Sequence, residues 1–306
     1  MTIAKGAKPA QQPKVAPPPL PAPTVENAIN AALAEDLGLQ GDITTNATVA
    51  ATAKAEAVIA ARKPGVIAGL QLAEAAFRAL DPGVRFEVVV ADGESVENGS
   101  IVARVSGSAR ALLTAERVAL NYMGRLSGIA TLTHSYVTAI QGTAAKIADT
   151  RKTTPGLRAF EKYAVRCGGG QNHRTGLFDA VLIKDNHIVA AGGIAKAVTA
   201  ARAAAGHMVK IEVEVDTLDQ LDEVLQHKVD AVLLDNMTPD QLRAAVKRVA
   251  GRCLTEASGG VNLETVRAIA ESGVDMISVG ALTHSATVLD LGLDFLPASK
   301  NRINRA

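Results

Sequence analysis

The stretch VKIEVEVDTLDQLDEVLQHKVDAVLLDNMTPDQLRAAVKRVAGRCLTEASGG, residues 209–260, decides the fold of this chain. It holds three short apolar runs with the composition of buried strands, and the two intervals between these runs have the apolar spacing of amphipathic helices. Strands that alternate with helices pair in parallel through right-handed crossovers. Residues 209–260 therefore predict a β/α domain built on a parallel sheet.

The same alternation extends to both sides of this stretch. The runs AKIAD at 145–149, AVLIK at 180–184 and MISVG at 276–280 add three strands, so six are recognised. A closed β/α barrel has eight strands. The prediction is thus an α/β fold whose catalytic domain, residues 141–285, is an open, incomplete β/α barrel, unless short strands have been missed.

Residues 25–140 predict a separate mixed α and β domain. VENAINAALAEDLG should form a helix that ends near Gly38, and two strands should flank a turn at Pro64 and Gly65. The run at 111–140 predicts one long helix, and Gly128 raises the expectation of a break within it. Residues 1–24 hold seven of the twelve prolines, so they are predicted to be a disordered Pro/Ala-rich tail.

Composition and charge exclude several classes of protein. The 306 residues have a formal net charge of +1, only 3% are aromatic and tryptophan is absent, which argues against nucleic acid as a partner. Cys167 and Cys253 are the only cysteines, which fits a reducing cytosol. No apolar run is long enough to cross a membrane. A cytoplasmic enzyme is expected.

A run of cations lies between Asp149 and His187. It reads DTRKTTPGLR, then EKYAVRCGGGQNHR, then VLIKDNH, and it combines seven lysines and arginines with a triple glycine at 168–170. Cations clustered in a nearly neutral chain predict a site for a ligand with several negative charges. His173 and His187 are candidates for acid–base groups, but a structural role is as plausible for each.

The strand VKIEVEVD should place its acids on one face. Ile211, Val213 and Val215 would pack against helices, while Glu212, Glu214 and Asp216 would point into the barrel. Inward carboxylates need cations or hydrogen-bond donors. They could pair with the group around Arg151 and Lys184 or help hold a metal-bound ligand, and an internal salt-bridge network without a ligand remains an alternative.

Two glycine-rich loops follow the last two predicted strands. They are Ser258-Gly259-Gly260, with Asn262 as a helix cap, and Val279-Gly280-Ala281. Glycines let backbone amides approach an anion, and consecutive late loops form phosphate sites in β/α barrels. The loops therefore predict a phosphorylated ligand. The chain has no Walker or dinucleotide-binding motif, which argues against ATP or NAD.

These motifs together resemble the quinolinate phosphoribosyltransferase family, also called nicotinate-nucleotide pyrophosphorylases (carboxylating). The resemblance covers roughly residues 25–295 and is most specific in DTRKTTPGLR…EKYAVRCGGGQNHRTGLFDAVLIKDNH. It implies transfer of phosphoribose from phosphoribosyl pyrophosphate to quinolinate with decarboxylation, in de novo NAD biosynthesis. It also implies an N-terminal α/β sandwich, a C-terminal segment at 286–306 that returns to that sandwich, and a homodimer with shared active sites. Assembly beyond the dimer is left open.

The resemblance also implies the roles of individual residues. Arg151, His173, Arg174 and Lys184 would bind the quinolinate carboxylates, with Arg117 supplied by the other subunit. Lys152 would contact phosphoribosyl pyrophosphate, and Glu214 and Asp235 would hold the ribose and, through the substrate, Mg²⁺. Lys152, Lys184, Glu214 and Asp235 are the predicted catalytic residues. The remaining predicted substrate-binding residues are Thr150, Ser258, Gly259, Gly260, Val279, Gly280, Ala281 and His284.

Three other functions remain as alternatives. The first is a paralogue of the same fold that acts on another small acid, for example one linked to molybdenum transport. The second is an aldolase with Lys184 as the Schiff-base nucleophile. The third is a relative that binds the ligand without catalysis. The full set of predicted carboxylate-binding cations disfavours all three.

Overall fold

The structure is a computed structural model that describes residues 17–297. Its N-terminal part combines short strands with four helices. In chain order these elements are α1 (Ala22–Leu37), α2 (Ile43–Thr48), β1 (Lys54–Ala61), β2 (Gly65–Val66), α3 (Leu70–Leu80), β3 (Arg85–Val88), β4 (Ser95–Val96), β5 (Ile101–Ser108) and α4 (Ala109–Ala139).

The C-terminal part alternates strands with helices, as the sequence predicts. Its elements are β6 (Lys146–Ala148), α5 (Arg158–Cys167), β7 (Val181–Ile183), α6 (Asp185–Ala191), α7 (Ile194–Ala204), β8 (Ile211–Val215), α8 (Leu218–Val224), β9 (Ala231–Asp235), α9 (Pro239–Val249), β10 (Leu254–Ser258), α10 (Val266–Ala270), β11 (Met276–Ser278), α11 (Ala281–His284) and β12 (Leu291–Phe295).

Six of these strands form one parallel sheet in the order β6-β11-β10-β9-β8-β7. Strands β6 and β7 are its two edges, and a single bridge from Ala148 to Gln171 extends it beyond β6. The strands are buried because their apolar side chains face the helices; Ile211, Val213 and Val215 are at most 1% exposed. The prediction of an open β/α barrel with six strands is confirmed.

The N-terminal sheet is antiparallel and takes strands from both ends of the chain. Its order is β12-β1-β5-β3, with Ala57 opposite Phe295 and Ala61 opposite Leu291. Helices α1, α3 and α4 cover it with buried side chains such as Ile29, Phe77 and Met123. The result is the predicted α/β sandwich. The segment predicted to return from the C-terminal end therefore contains an edge strand of this sheet, and residues 298–306 lie outside the described residues.

Helix α4 is continuous, so the break predicted at Gly128 is wrong. A Cβ atom on Gly128 would lie 2.0 Å from the carbonyl oxygen of Thr287, and one on Gly124 would lie 2.8 Å from a methyl group of Val288. The glycines thus let the segment before β12 cross α4 at close range. They serve helix packing, and the buried contacts outweigh the weak helix propensity of glycine.

The predicted boundary of the N-terminal tail is also wrong. Helix α1 begins at Ala22, and Leu20 is only 7% exposed. The backbone N–H of Leu20 donates to the Gln71 side chain, which in turn donates to the Leu20 carbonyl. Residues 17–24 therefore belong to the packed domain, whereas residues 1–16 lie outside the described part of the chain.

The parallel sheet sets the position of the site. All six strands point the same way, so the loops and helices that follow them meet at one edge. Among residues 17–297, no helix has the length and apolar character needed to cross a membrane.

Candidate active site

A cavity of about 610 Å³ opens at the carboxyl ends of the parallel strands. Every predicted substrate-binding residue except Arg117 lines it. The lining residues are Thr150, Arg151, Lys152, His173, Arg174, Leu182, Lys184, Glu214, Leu233, Asp235, Glu256, Ser258, Gly259, Gly260, Val261, Ser278, Val279, Gly280, Ala281 and His284.

One side of this cavity, the acid side, carries the cationic side chains of Arg151, His173, Arg174 and Lys184. Burial and the neighbouring charge of Arg151 lower the pKa of Arg174. The Nε atom of Arg151 is buried without a hydrogen-bond partner among the described residues. Crowded cations with unused donors make this side suited to a ligand with more than one carboxylate.

The buried Asp149 fixes the backbone of the acid side. Its carboxylate is fully buried and pairs with the ammonium group of Lys162. It also accepts the His173 N–H at 2.9 Å and the Asn172 side-chain amide at 2.6 Å. Lys162 in turn donates to the His173 carbonyl at 3.1 Å. The backbone of His173 is thereby held through both its N–H and its C=O group, which fixes the segment that also carries Arg174.

His173 lies between two buried glutamates at the bottom of the cavity. Its Nε2 atom is 2.9 Å from Glu212 Oε2 and 3.5 Å from Glu256 Oε1. Burial alone would lower the pKa of His173, but the hydrogen bond to Glu212 and the charge of Glu256 outweigh it and raise that pKa. Burial and the charge of Glu212 raise the pKa of Glu256 to about 7. The raised pKa values of His173 and Glu256 both favour a proton at the bottom of the cavity.

Two further carboxylates lie at the ends of β8 and β9. Glu214 pairs with the Lys184 ammonium group, and its side chain is 13% exposed. Asp235 accepts a hydrogen bond from the Asn236 amide at 2.6 Å. Glu212 and Glu214 point inward as predicted, and Lys184 pairs with an acid of β8 as predicted. The same prediction is wrong for Asp216, which is exposed and outside the cavity lining because β8 ends at Val215.

The other side of the cavity, called the phosphate side after the ligand that the sequence predicts there, is formed largely by two glycine-rich loops. Gly259 has φ +90°, and a Cβ atom there would lie 2.1 Å from Asn236 Oδ1. A Cβ atom on Gly280 would lie 3.0 Å from Lys152 Cδ and 3.3 Å from His284 Nε2. At both positions a larger residue would press on its neighbours, so glycine is what lets these loops pack closely at the cavity edge. Asn262 caps the turn before α10, because its side chain accepts the N–H groups of Glu264 and Thr265.

Several members of the cation run lie away from the cavity. The triple glycine ends α5 and packs on α4, since a Cβ atom on Gly168 would lie 2.4 Å from the Ala130 carbonyl oxygen. Lys162 serves the buried Asp149, and Arg166 stacks 5.7 Å from the Tyr163 ring centroid. The expectation that the whole run, including the glycines, surrounds an anion is wrong, because part of it holds the domain interface together.

His187 and Arg117 also lie outside the cavity lining. His187 accepts the Lys184 N–H at 2.9 Å and so begins α6 in a structural role. Arg117 is exposed on α4. A single chain thus does not bring Arg117 to the acid side, and its predicted role requires a second subunit.

Sequence reasoning assigns no role to five lining residues: Glu256, Leu182, Leu233, Val261 and Ser278. Glu256 carries a usable signal, because it is a strand-end acid like Glu214 and Asp235. The two leucines look like ordinary core residues in apolar strands. The supporting carboxylates Asp149 and Glu161, both 0% exposed, are hidden among charged neighbours in the sequence.

Comparison with known proteins gives the same assignment for both parts of the chain. The model of the quinolinate phosphoribosyl transferase N-terminal domain matches residues 42–127, and that of the C-terminal domain matches residues 129–294. A Mycobacterium leprae nicotinate-nucleotide pyrophosphorylase [carboxylating] is 49% identical over 276 residues, which cover 88% of this chain and 96% of the relative. A Bacillus subtilis protein described as a probable nicotinate-nucleotide pyrophosphorylase [carboxylating] is 45% identical over 270 residues, 88% of this chain and 93% of the relative.

Solved structures agree with this comparison. NadC from Streptococcus pyogenes superposes with a TM-score of 0.88 at 42% identity, over 92% of this chain and all of that one. The nicotinate-nucleotide pyrophosphorylase from Francisella tularensis has a TM-score of 0.87 at 40% identity, over 91% of this chain and 98% of that one. The chain therefore belongs to the quinolinate phosphoribosyl transferase family.

Proposed function

We propose that this chain transfers phosphoribose from phosphoribosyl pyrophosphate to the ring nitrogen of quinolinate and removes one carboxylate. The products would be nicotinate mononucleotide, pyrophosphate and carbon dioxide, on the path to NAD. One observation carries the proposal: a single cavity brings a cluster of carboxylate-binding cations opposite two glycine-rich loops. A dicarboxylate and a phosphorylated sugar need this pair of surfaces.

The acid side would orient quinolinate. Its two adjacent carboxylates match the planar guanidinium groups of Arg151 and Arg174, and the Lys184 ammonium adds a point charge. In the free chain Lys184 pairs with Glu214, so the substrate would compete for a cation that already has a partner. Fixed ligand geometry would place the ring nitrogen toward the ribose.

The acids at the ends of β8 and β9 would act on the sugar. As pyrophosphate leaves, positive charge develops on the ribose, and the carboxylates of Glu214 and Asp235 would stabilise it. Their oxygens also fit Mg²⁺, which prefers carboxylate and phosphate ligands, so these residues would hold the ion through the substrate. Bound Mg²⁺ would neutralise charge on the departing pyrophosphate.

Decarboxylation would follow from the product of this transfer. Once the ring nitrogen carries ribose, it is cationic, and the electron pair left when the carbon–carboxylate bond breaks is stabilised beside it. Carbon dioxide leaves, and the ring carbon takes up a proton. Exclusion of water by the buried bottom of the cavity would strengthen this electrostatic effect.

The proposal includes a cytoplasmic homodimer in which each site uses Arg117 of the other chain. The exposed position of Arg117 on α4, outside its own cavity, supports a shared site. An isologous dimer would then contain two equivalent sites, each dependent on both subunits.

The decisive experiment measures release of pyrophosphate and carbon dioxide with phosphoribosyl pyrophosphate and either quinolinate or nicotinate. We expect turnover with quinolinate and little with nicotinate, because the monocarboxylate leaves buried cations unpaired. Comparable turnover of nicotinate would contradict the proposal. Borohydride trapping of a carbonyl substrate on Lys184 would instead support the aldolase alternative, which the ion pair of Lys184 with Glu214 disfavours.

A further inference from the structure

Arg125 is a partly buried residue that links the two domains and has no role in the reaction proposed above. It lies on α4, in the N-terminal domain, and its side chain is 26% exposed. Its guanidinium group reaches α5 and α11, both in the C-terminal domain. It is not among the residues that line the catalytic cavity.

The partner of Arg125 is Glu161 on α5, which is completely buried. Arg125 Nη2 donates to Glu161 Oε1 at 2.6 Å, and Arg125 Nε is 3.2 Å from the same oxygen. The other carboxylate oxygen accepts the backbone N–H of Thr154 at 3.0 Å. A buried carboxylate with a charged partner makes charge-assisted hydrogen bonds, so this arrangement fixes the end of the loop at residues 150–154.

The same guanidinium group holds α11. Arg125 Nη2 donates to the Thr283 carbonyl oxygen at 2.5 Å and lies 3.2 Å from the Thr154 hydroxyl. The Thr283 hydroxyl donates to the Lys152 carbonyl oxygen at 2.7 Å. One cation therefore joins the loop that carries Lys152 to the helix that carries His284.

This connection belongs to the phosphate side of the cavity. The Lys152 side chain packs over Gly280 and beside His284, as the 3.0 Å and 3.3 Å distances from a Cβ atom on Gly280 show. The acid side is fixed separately, by Asp149 and Lys162, and neither makes a hydrogen bond to Arg125 within residues 17–297. Arg151 of the acid side shares the loop at residues 150–154, but it stands two residues after the fixed Asp149, whereas Glu161 holds the loop at Thr154. Loss of Arg125 should thus displace Lys152 and α11 more than Arg151, and leave His173 and Arg174 in place.

We infer that Arg125 is the positioning residue that holds Lys152 against the glycine loop and α11, and so sets the affinity for phosphoribosyl pyrophosphate rather than for quinolinate. It acts through Glu161, Thr283 and the backbone of residues 152–154, without touching substrate. This inference rests on the proposed function and deepens it, because it gives the two substrates separate supports in the protein.

The test compares the KM values for the two substrates in Arg125→Met, Arg125→Lys and Arg110→Met. Arg110 is the matched control: it is also on α4, and it donates to the Val49 carbonyl at 2.8 Å and to Asn46, all within the N-terminal domain. We expect Arg125→Met to raise the KM for phosphoribosyl pyrophosphate by about tenfold, the size of one lost charge-assisted hydrogen bond. The KM for quinolinate should stay within about twofold.

Arg125→Lys should recover part of this loss, because an ammonium group can still reach Glu161, and Arg110→Met should leave both KM values unchanged. Equal changes in the two KM values, or none, would overturn the inference. If the wild-type chain itself releases no pyrophosphate with quinolinate, the proposed function fails instead, so the two failures are distinct.

A second variant covers the case in which Arg125→Met does not fold. Thr283→Val keeps the shape of the side chain and removes only the hydroxyl that donates to Lys152 and approaches Gly280. We expect a smaller rise in the same KM, about threefold, with an unchanged melting temperature. A wild-type KM for phosphoribosyl pyrophosphate in this folded variant would count against the link.

Discussion

Under the proposed function, the two sides of the cavity bind anions in different ways. The acid side uses charged side chains, held by the buried pair of Asp149 with Lys162. The phosphate side uses the backbone of glycine loops, with Gly259 at φ +90°. Charged side chains distinguish ligands by the number and placement of their carboxylates, whereas backbone amides accept any phosphate of suitable size.

The two sides also differ in the energetic requirement that each must meet in the folded chain. On the acid side, His173 and Lys184 already have carboxylate partners before a ligand arrives, supplied by Glu212, Glu214 and Glu256. The phosphate side also carries Lys152 and His284, but its glycine loops require conformations that other residues adopt only with strain. The acid side should therefore be sensitive to changes of charge and the phosphate side to added volume.

The largest effect is expected from removing a cation on the acid side. Lys184→Ala should lower kcat/KM by more than about 100-fold, since a carboxylate would lose its counterion and Glu214 would be left unpaired. Steady-state kinetics with quinolinate measure this. Lys210→Ala is the control, because Lys210 is 77% exposed and pairs with Asp230 outside the cavity. Equal losses in the two variants would contradict the special role of Lys184.

The same variant tests whether the acid side is shared between subunits. Arg117→Ala should also be nearly inactive alone. Refolding Arg117→Ala with Lys184→Ala should restore about a quarter of wild-type activity, because half of randomly formed dimers are mixed and each has one complete site of two. An inactive mixture in which mixed dimers are demonstrated would place Arg117 in its own chain's site.

Next in size is the stability of the buried pair. Asp149→Asn should lower the free energy of unfolding by about 3–5 kcal/mol, because Lys162 would remain charged and buried without its partner. Urea denaturation measures this value. The comparison variant is Asp294→Asn, whose partner Arg62 is 41% exposed, and there the loss of stability should be much smaller, because solvent screens the pair. Similar costs for the two pairs would refute the idea that burial makes the acid side sensitive.

On the phosphate side, an added methyl group should be enough to impair binding. Gly259→Ala would collide with Asn236 and strain a left-handed backbone, so the KM for phosphoribosyl pyrophosphate should rise about tenfold. The KM for quinolinate should change little. Gly206→Ala adds the same methyl group where nothing lies within 4 Å, and it should behave as wild type. A selective rise in the quinolinate KM would reverse the assignment of the two sides.

The smallest effect is expected in the pH dependence of the free energy of unfolding. Burial and Glu212 raise the pKa of Glu256 from 4.5 to about 7, so the folded chain retains a proton there that the unfolded chain loses. The free energy of unfolding should therefore fall as pH rises from about 4.5 through 7. Glu256→Gln should lack this part of the fall, on the order of 1–3 kcal/mol between pH 5 and 8.

Denaturation at pH 5 and pH 8 measures the difference. The exposed Glu264→Gln is the control and should keep the wild-type dependence on pH. If Glu256→Gln and wild type lose stability in parallel over this range, Glu256 does not hold a proton at neutral pH.

Much of this site could be predicted from the sequence, because its residues stand at strand ends in a regular β/α pattern. Glu214, Asp235 and both glycine loops are of this kind. The break expected at Gly128 was wrong, since only the tertiary crossing by Thr287 explains that glycine. Leu20 was assigned to the tail because no local pattern reveals the contact that orders it. Its hydrogen-bond partner, Gln71, lies 51 residues further along the chain. The linking roles of Arg125 and Lys162 are equally invisible, because their partners are distant in the chain.

The pairing of β12 with β1 has a consequence for folding during synthesis on the ribosome. During synthesis, β1 leaves the ribosome more than 200 residues before its partner Leu291–Phe295. Until then the N-terminal sheet has an unprotected edge at β1, which invites pairing with other chains. The sandwich can be completed only after the catalytic domain has been made, so a chain cut near residue 128 should yield two halves that aggregate. The N-terminal domain therefore cannot complete its sheet until β12 has left the ribosome.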